Sequence, residues 1–257
     1  MSRLLQSCYM CAEPATSREH VPPKCIFPEK KDIGGNYRED LITVPSCDKH
    51  NSKKSKDDEF LMVSLAGIIG NNSIGYKHKF GKVDRAIKRS ANRLLEKIFK
   101  KKEKKCTYQI DENKFIEVIW GTPDIDRLNN CFEHIAYGLY YNHYQERFAG
   151  DLKILLGYLS SQDSNSENFK KFIKHKLETE LRNTKQHGKN QEVFYYQFTP
   201  PDEFGLFALK ICFYGGLEIY CAFIPKSTSL PANFAMELMN KGIKTIIHHD
   251  GKNYEFN

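Results

Sequence analysis

Four residues near the N-terminus have the types and spacing of a metal site. Cys8-x-x-Cys11 and Cys47-x-x-His50 are two half-sites separated by 35 intervening residues. Zn²⁺ prefers four tetrahedral thiolate and imidazole ligands, and a two-residue gap lets one turn present both members of a pair to the same ion. A lone Cys-x-x-Cys is also the spelling of a thiol redox pair, so redox chemistry is the competing reading. Two half-sites on one short segment favour metal. With all four positions filled by protein, the ion is expected to fold the segment and not to catalyse.

Between the half-sites runs Glu19-His20-Val21-Pro22-Pro23, and Asn51 directly follows His50. A zinc ion that pins Cys11 to Cys47 would bring the strand holding Glu19 and His20 near the start of the helix holding Asn51. A carboxylate and an amide oxygen are hard ligands suited to Mg²⁺. An imidazole beside them could take a proton from an attacking water. Together these groups are a minimal kit for hydrolysing a phosphodiester. The bland reading is a surface Glu-His pair with no common task.

At CYMC, EHVPP and CDKHN the sequence resembles the HNH endonuclease family, whose ββα-metal fold is often braced by a zinc ion. His50 stands where the family usually has its last zinc-binding Cys. The resemblance implies His20 as general base and Glu19 with Asn51 as ligands of one catalytic Mg²⁺ or Mn²⁺, which would stabilise the scissile phosphate and the 3′-oxygen leaving group. By position the middle residue of the motif is Asp40, or alternatively Asn36. The segments EHVPPK, LITVPSC and SKDDEF are similar to a group of bacterial HNH proteins, as are Ile135–His143 and Phe213–Gly216 further on. Family habit suggests bacterial defence against foreign DNA.

These residues need elements to position them. The segment Cys8–Lys56 is rich in Cys, Pro, Gly and His and has too few apolar runs to build much of a core unaided. From Asp57 the periodicity turns helical, with Phe60, Val63, Leu65 and Ile68 or Ile69 as a buried stripe. A second helix is predicted over Val83–Lys100, a hairpin over Thr107–Ile110 and Lys114–Trp120, and a strong helix over Ile125–Tyr144. Leu152–Leu159 reads as strand or helix, Ser160–Glu167 as a loop, and Asn168–Arg182 as an amphipathic helix. Strands follow at Val193–Thr199, Leu206–Phe213 and Leu217–Ile224, the last two joined at Gly215-Gly216. A short helix near Ala232–Lys241 and a hairpin around Asp250-Gly251 end the chain. The expected fold is α+β: a zinc-bearing ββα module over residues 1–60, then an α+β accessory region over 61–257. That region divides into a basic helical part (61–150) and a mostly antiparallel, β-rich part (151–257).

Of 257 residues, 40% are hydrophobic and 28% charged, which is ordinary for a folded globular chain and excludes disorder. Met1–Met10 has no apolar signal-peptide core, and Leu61–Gly70 is too short to cross a bilayer. A cytoplasmic, non-membrane protein with reduced cysteines is expected. Cys106, Cys131, Cys212 and Cys221 sit among apolar neighbours and read as small core residues. The net charge is +7, yet Lys77–Lys105 alone has thirteen Lys or Arg against three acids. That excess of ten leaves the remainder at −3, so the positive charge is concentrated. Lys53, Lys54 and Lys56, with Lys88, Arg89 and Arg93, are candidate phosphate contacts, DNA before RNA. Asp57, Asp58 and Glu59 read as a solvated helix turn, or Asp58 as a brace for the metal site or a lysine. Tyr137, Tyr140 and Tyr144 read as core or interface residues, and His143, His248 and His249 as structural or surface residues. The β-rich half suits a protein partner or a second copy. The main competitor to an endonuclease is a non-catalytic zinc module that binds nucleic acid or protein.

Overall fold

The structure, a computed structural model, describes residues 6–100, 104–112, 114–161, 163–228, 238 and 241–257. Strand β1 (Ser17–His20) is followed by a short helix α1 (Lys30–Ile33) and by β2 (Thr43–Ser46). The two strands pair antiparallel, with Glu19 opposite Val44 and His20 opposite Thr43. After a 3-10 turn over Ser52–Lys54 the chain enters α2 (Ser55–Ala66). Phe60, Leu61 and Leu65 of α2 join the main core, while Met62, Val63 and Ala66 join a second cluster with Val83, Ala86 and Ile87. A helix covered on two sides needs no single apolar stripe. Ile69, expected in the stripe, lies past the helix end and is 61% exposed.

The helix expected over Val83–Lys100 is broken. α3 (Ser73–His78) runs through a π turn into α4 (Asp84–Arg89), and α5 (Arg93–Glu96) follows a kink. Ala91 and Asn92 have φ of 51° and 66°, which ends helical propagation. The Ser90 hydroxyl accepts the Leu94 amide at 3.2 Å, which satisfies one of the free amides in the first turn of α5.

Strands β3 (Lys104–Asp111) and β4 (Lys114–Trp120) form a separate hairpin. Cys106 on β3 is only half-buried, unlike Cys131, Cys212 and Cys221, because the hairpin is a sheet of its own. Next comes α6 (Ile125–Tyr144), capped by Asp124, whose carboxylate accepts the Arg127 amide at 3.2 Å. Its Leu128, Phe132, Ile135 and Leu139 are fully buried. β5 (Gly150–Leu156) resolves the ambiguous segment as a strand. The exposed helix α7 (Ser164–Leu181) starts earlier than expected because Asp163 caps it, accepting Ser166 N–H at 2.7 Å. β6 (Phe194–Phe198), β7 (Phe207–Phe213) and β8 (Leu217–Pro225) complete a four-stranded antiparallel sheet of order β5-β8-β7-β6. β9 (Thr245–His249) and β10 (Lys252–Phe256) form the last hairpin. The helix expected near Ala232–Lys241 falls almost wholly outside the described residues.

The architecture is α+β with antiparallel sheets, and among the described residues no helix is long and apolar enough to cross a membrane. One core joins Tyr9, Val21, Ile26, Phe27 and Val44 to Phe132, Ile135 and Phe213. α6 is the wall between the N-terminal segment and the large sheet, packing on α2, β2 and β5. Its contact with the EHVPP segment is close: a Cβ at Gly138 would sit 2.7 Å from Val21 Cγ2.

Candidate metal centre and adjoining polar site

Cys8, Cys11, Cys47 and His50 converge, with their ligand atoms all within 4.8 Å of one another. Cys8 Sγ lies 3.4 Å and Cys47 Sγ 3.3 Å from His50 Nδ1, and the Cys11 and Cys47 sulfurs are 3.8 Å apart. A tetrahedron with metal–sulfur bonds of about 2.3 Å and a metal–nitrogen bond of about 2.0 Å has edges of this size. The donor set and spacing fit a metal ion such as zinc. Local folding explains the convergence. The backbone of Tyr9 donates to Pro45 O at 2.9 Å, which ties the Cys8 turn to the end of β2. The His50 and Asn51 amides both close on Cys47 O, at 3.1 and 3.0 Å. Burial would raise the Cys8 thiol, but backbone amides of Met10, Cys47 and Cys11 outweigh it and hold the pKa below the ordinary value. Burial lowers the pKa of His50, with Lys49 adding to it, which favours the neutral ligand form.

Asn51 reaches back to β1. Its Nδ2 donates to Ser17 Oγ at 2.8 Å and lies 3.5 Å from Arg18 O. The Ser17 hydroxyl spends its own proton on Ser46 O at 3.3 Å, so it must accept from Asn51. That fixes the amide with Oδ1 turned away from both partners. His20 is half-buried, and among the described residues nothing hydrogen-bonds to its ring. Burial lowers its pKa, and the nearby Lys24 ammonium adds to the effect.

Glu19 is 4% exposed and Lys54 is 8% exposed. The Lys54 ammonium pairs with Glu19 Oε1 and lies 3.4 Å from Asp58 Oδ1. Glu19 Oε2 accepts Ser46 Oγ at 3.4 Å. Burial pushes the Glu19 carboxyl up, with Lys54 pulling partly back. Burial alone would strip Lys54 of its proton, but the two carboxylates outweigh it and hold the ammonium. Lys54, expected as a surface phosphate contact, is thus turned inward. Asp58 braces that lysine, and Asp57 pairs with Arg127 at 2.8 Å, so this turn is not simply solvated. Two residues not singled out from sequence complete the cluster. Tyr9 OH meets His134 Nδ1 of α6 at 3.0 Å and lies beside the Glu19 carboxylate. The His134 ring lies 5.7 Å from that of His50. For Tyr9 the one sequence signal available was its place between the ligands Cys8 and Cys11.

The expected partners of the divalent ion do not fit it in this arrangement. Successive residues of a strand face opposite ways, so Glu19 and His20 leave β1 on different sides. The Glu19 carboxylate is taken up by Lys54 and Ser46, and among the described residues no contact joins it to Asn51. Asp40 is exposed, at φ 50°, with its carboxylate 3.9 Å from Lys189. Asn36 donates to Glu39 at 2.5 Å. Neither bonds to His20.

Lys56, Lys88, Arg89 and Arg93 are exposed and, among the described residues, lack an acidic partner. The Lys53 side chain lies outside those described. Other cations of the basic stretch are already paired: Arg85 with Asp32 at 2.8 Å, Lys82 with Glu29 at 3.5 Å, and Lys79 with Asp84. Tyr140 is buried and stacks on Phe207 and Phe223, whereas Tyr144 is 38% exposed. No protein-family model matches the chain, and neither a curated protein nor a solved structure matches it.

Proposed function

We propose that the chain is an endonuclease of the HNH type that hydrolyses phosphodiester bonds, with residues 1–60 as the nuclease module docked on the larger α+β region. The observation that carries this reading is the bonding of Asn51 to β1, the strand of Glu19 and His20, directly beside the Cys₃His cluster that His50 completes. Zinc is the ion proposed for that cluster, in a structural role. His20 supplies the chemistry. Its lowered pKa leaves the imidazole neutral at neutral pH, and its ring has no competing hydrogen bond. It can therefore take the proton of a water attacking phosphorus in line, giving 5′-phosphate and 3′-hydroxyl products. The resemblance further implies Mg²⁺ or Mn²⁺ on Glu19 and Asn51, which would offset charge on the leaving oxygen when bound. As arranged, Glu19 is not open to such an ion, so proton transfer at His20 is the step the chain's own residues support.

Lys56, Lys88, Arg89 and Arg93 would hold phosphates, DNA being the proposed substrate and cytoplasmic defence in a bacterium the proposed setting. The C-terminal region would take a protein partner or a second copy. The pairing of Glu19 with Lys54 favours one alternative, a non-cutting module that binds nucleic acid or protein.

A plasmid-nicking assay with Mg²⁺ or Mn²⁺ separates the two. The wild-type chain should nick, and His20→Ala should lose about 100-fold or more, the scale of a general base. If both leave DNA and RNA intact with either metal, the nuclease reading is refuted.

A further inference from the structure

Phe80 is the most exposed large apolar side chain among the described residues, at 63%, and it stands inside the basic stretch. Its helical turn is widened. The buried residues Ile74, His78, Val83 and Ile87 follow one another at steps of four, five and four, and the long step is the π turn Lys79–Val83. A π turn inserts one residue into the α-helical repeat, and such turns gather at functional sites. Packing is kept on both sides of it. Val83, Ala86 and Ile87 join Met62, Val63 and Ala66 of α2 in one cluster. His78, Lys82 and Arg85 bond to Cys25, Glu29 and Asp32 on another side. The inserted residue is therefore carried on the outer side, where Phe80 is exposed along with Lys77, Lys88 and Arg89. Asp84, the acid within residues 77–89, is engaged by Lys79, whose ammonium also lies 5.9 Å from the centre of the Phe80 ring. Lys77, Lys88 and Arg89 have no acidic partner among the described residues. Free cations thus flank an apolar ring that projects into water.

We infer that Phe80 is a stacking platform for an unpaired base of single-stranded DNA, with Lys77, Lys88 and Arg89 on the neighbouring phosphates. Every base has a π face, so stacking on a ring is tolerant of sequence, and cations beside the ring track the backbone. Lys77 and Lys88 are eleven residues apart, about 16 Å of helix, with Phe80 between them. A ring set among unpaired cations is complementary to a polyanion that carries flat apolar faces. In a duplex those faces are covered by neighbouring base pairs, so the site favours strands that are open. This inference rests on the nuclease reading for the identity of the partner, and narrows it to DNA with unpaired bases.

The test is fluorescence anisotropy of a labelled mixed-sequence oligonucleotide, single-stranded and as a duplex, with the full chain and no added Mg²⁺ or Mn²⁺. Phe80→Ala should weaken single-strand binding by about 5- to 150-fold, the range of one base–aromatic stack. Phe80→Leu keeps apolar bulk without a π face and should lose affinity as well, whereas Phe80→Tyr should bind as wild type does. Duplex binding should be the same in wild type and Phe80→Ala. Against salt, Phe80→Ala should keep the wild-type slope of log affinity, while Lys88→Gln should reduce it by about 0.7. Single-strand binding unchanged in Phe80→Ala, or retained in full by Phe80→Leu, overturns the inference. An equal loss on duplex and single strand overturns the preference for unpaired bases. Nicking by wild type with unchanged binding in Phe80→Ala removes this inference and leaves the nuclease reading standing. Single-strand binding that depends on Phe80 in a chain that cuts nothing keeps this inference and removes that reading. A chain that binds no nucleic acid removes both.

Discussion

Replacing Gly138 by Ala adds one methyl group where α6 meets the segment after β1. In a helix free of neighbours the change would stabilise by roughly 0.5–1 kcal/mol, because Gly loses more backbone freedom on folding. Here the new Cβ would lie 2.7 Å from Val21 Cγ2, 2.9 Å from Cγ1 and 3.3 Å from Cβ. Val21 is 2% exposed and has no solvent to move into. Overpacking of this kind costs about 1–3 kcal/mol. The cost exceeds the helix gain, so Gly138→Ala should lose about 1–2 kcal/mol net. Val21→Ala removes both Cγ atoms, and against that background Gly138→Ala should become stabilising. Urea unfolding followed by far-UV circular dichroism on the four members of the cycle gives the coupling, expected to be at least about 1 kcal/mol. The consequence for the site is direct, since Val21 follows His20 and relief of the clash must shift the end of β1. If Gly138→Ala is as stable as wild type, or the cycle shows no coupling, the close packing of α6 on this segment is refuted.

Elemental analysis should find one zinc ion per chain, and Cys47→Ser or a strong chelator should remove it and lower the Tm. Because Tyr9, Val21 and Phe27 share the core of α6, metal loss should also diminish the near-ultraviolet dichroism of the aromatic core. An unchanged Tm without bound metal contradicts the assignment. His78 gives a pH test. It is fully buried, its Nε2–H donates to Cys25 O at 3.2 Å, and Nδ1 has no partner. Burial, with Lys82 adding to it, lowers its pKa from 6.5 to about 4. As pH falls the unfolded chain takes up this proton first. The contribution to stability is therefore full above pH 6.5 and is lost between 6.5 and about 4, by at most about 1.4 kcal/mol per pH unit. A ring-proton NMR titration should place the midpoint near 4, and a midpoint at an ordinary histidine value would show the ring to be solvated.

Local chemistry was legible in the sequence. Two half-sites of known spelling sufficed to pick out Cys8, Cys11, Cys47 and His50, because a two-residue gap presents both ligands from one turn whatever the rest of the fold does. A strong apolar helical face located α6, and β-rich runs joined at Gly215-Gly216 located β7 and β8. Long-range contacts decided the rest. Lys54 reads as one more cation in a charged run, but two carboxylates, one of them 35 residues away on β1, draw it out of water. α2 is buried on two sides by partners that its own periodicity does not name. The kink after α4 comes from two left-handed residues, Ala91 and Asn92, inside an otherwise helical pattern. His134, on a distant helix, enters the polar site through Tyr9. Spacing along the chain identifies groups that one turn can bring together. Which charge ends beside which depends on burial, and burial is a property of the assembled core.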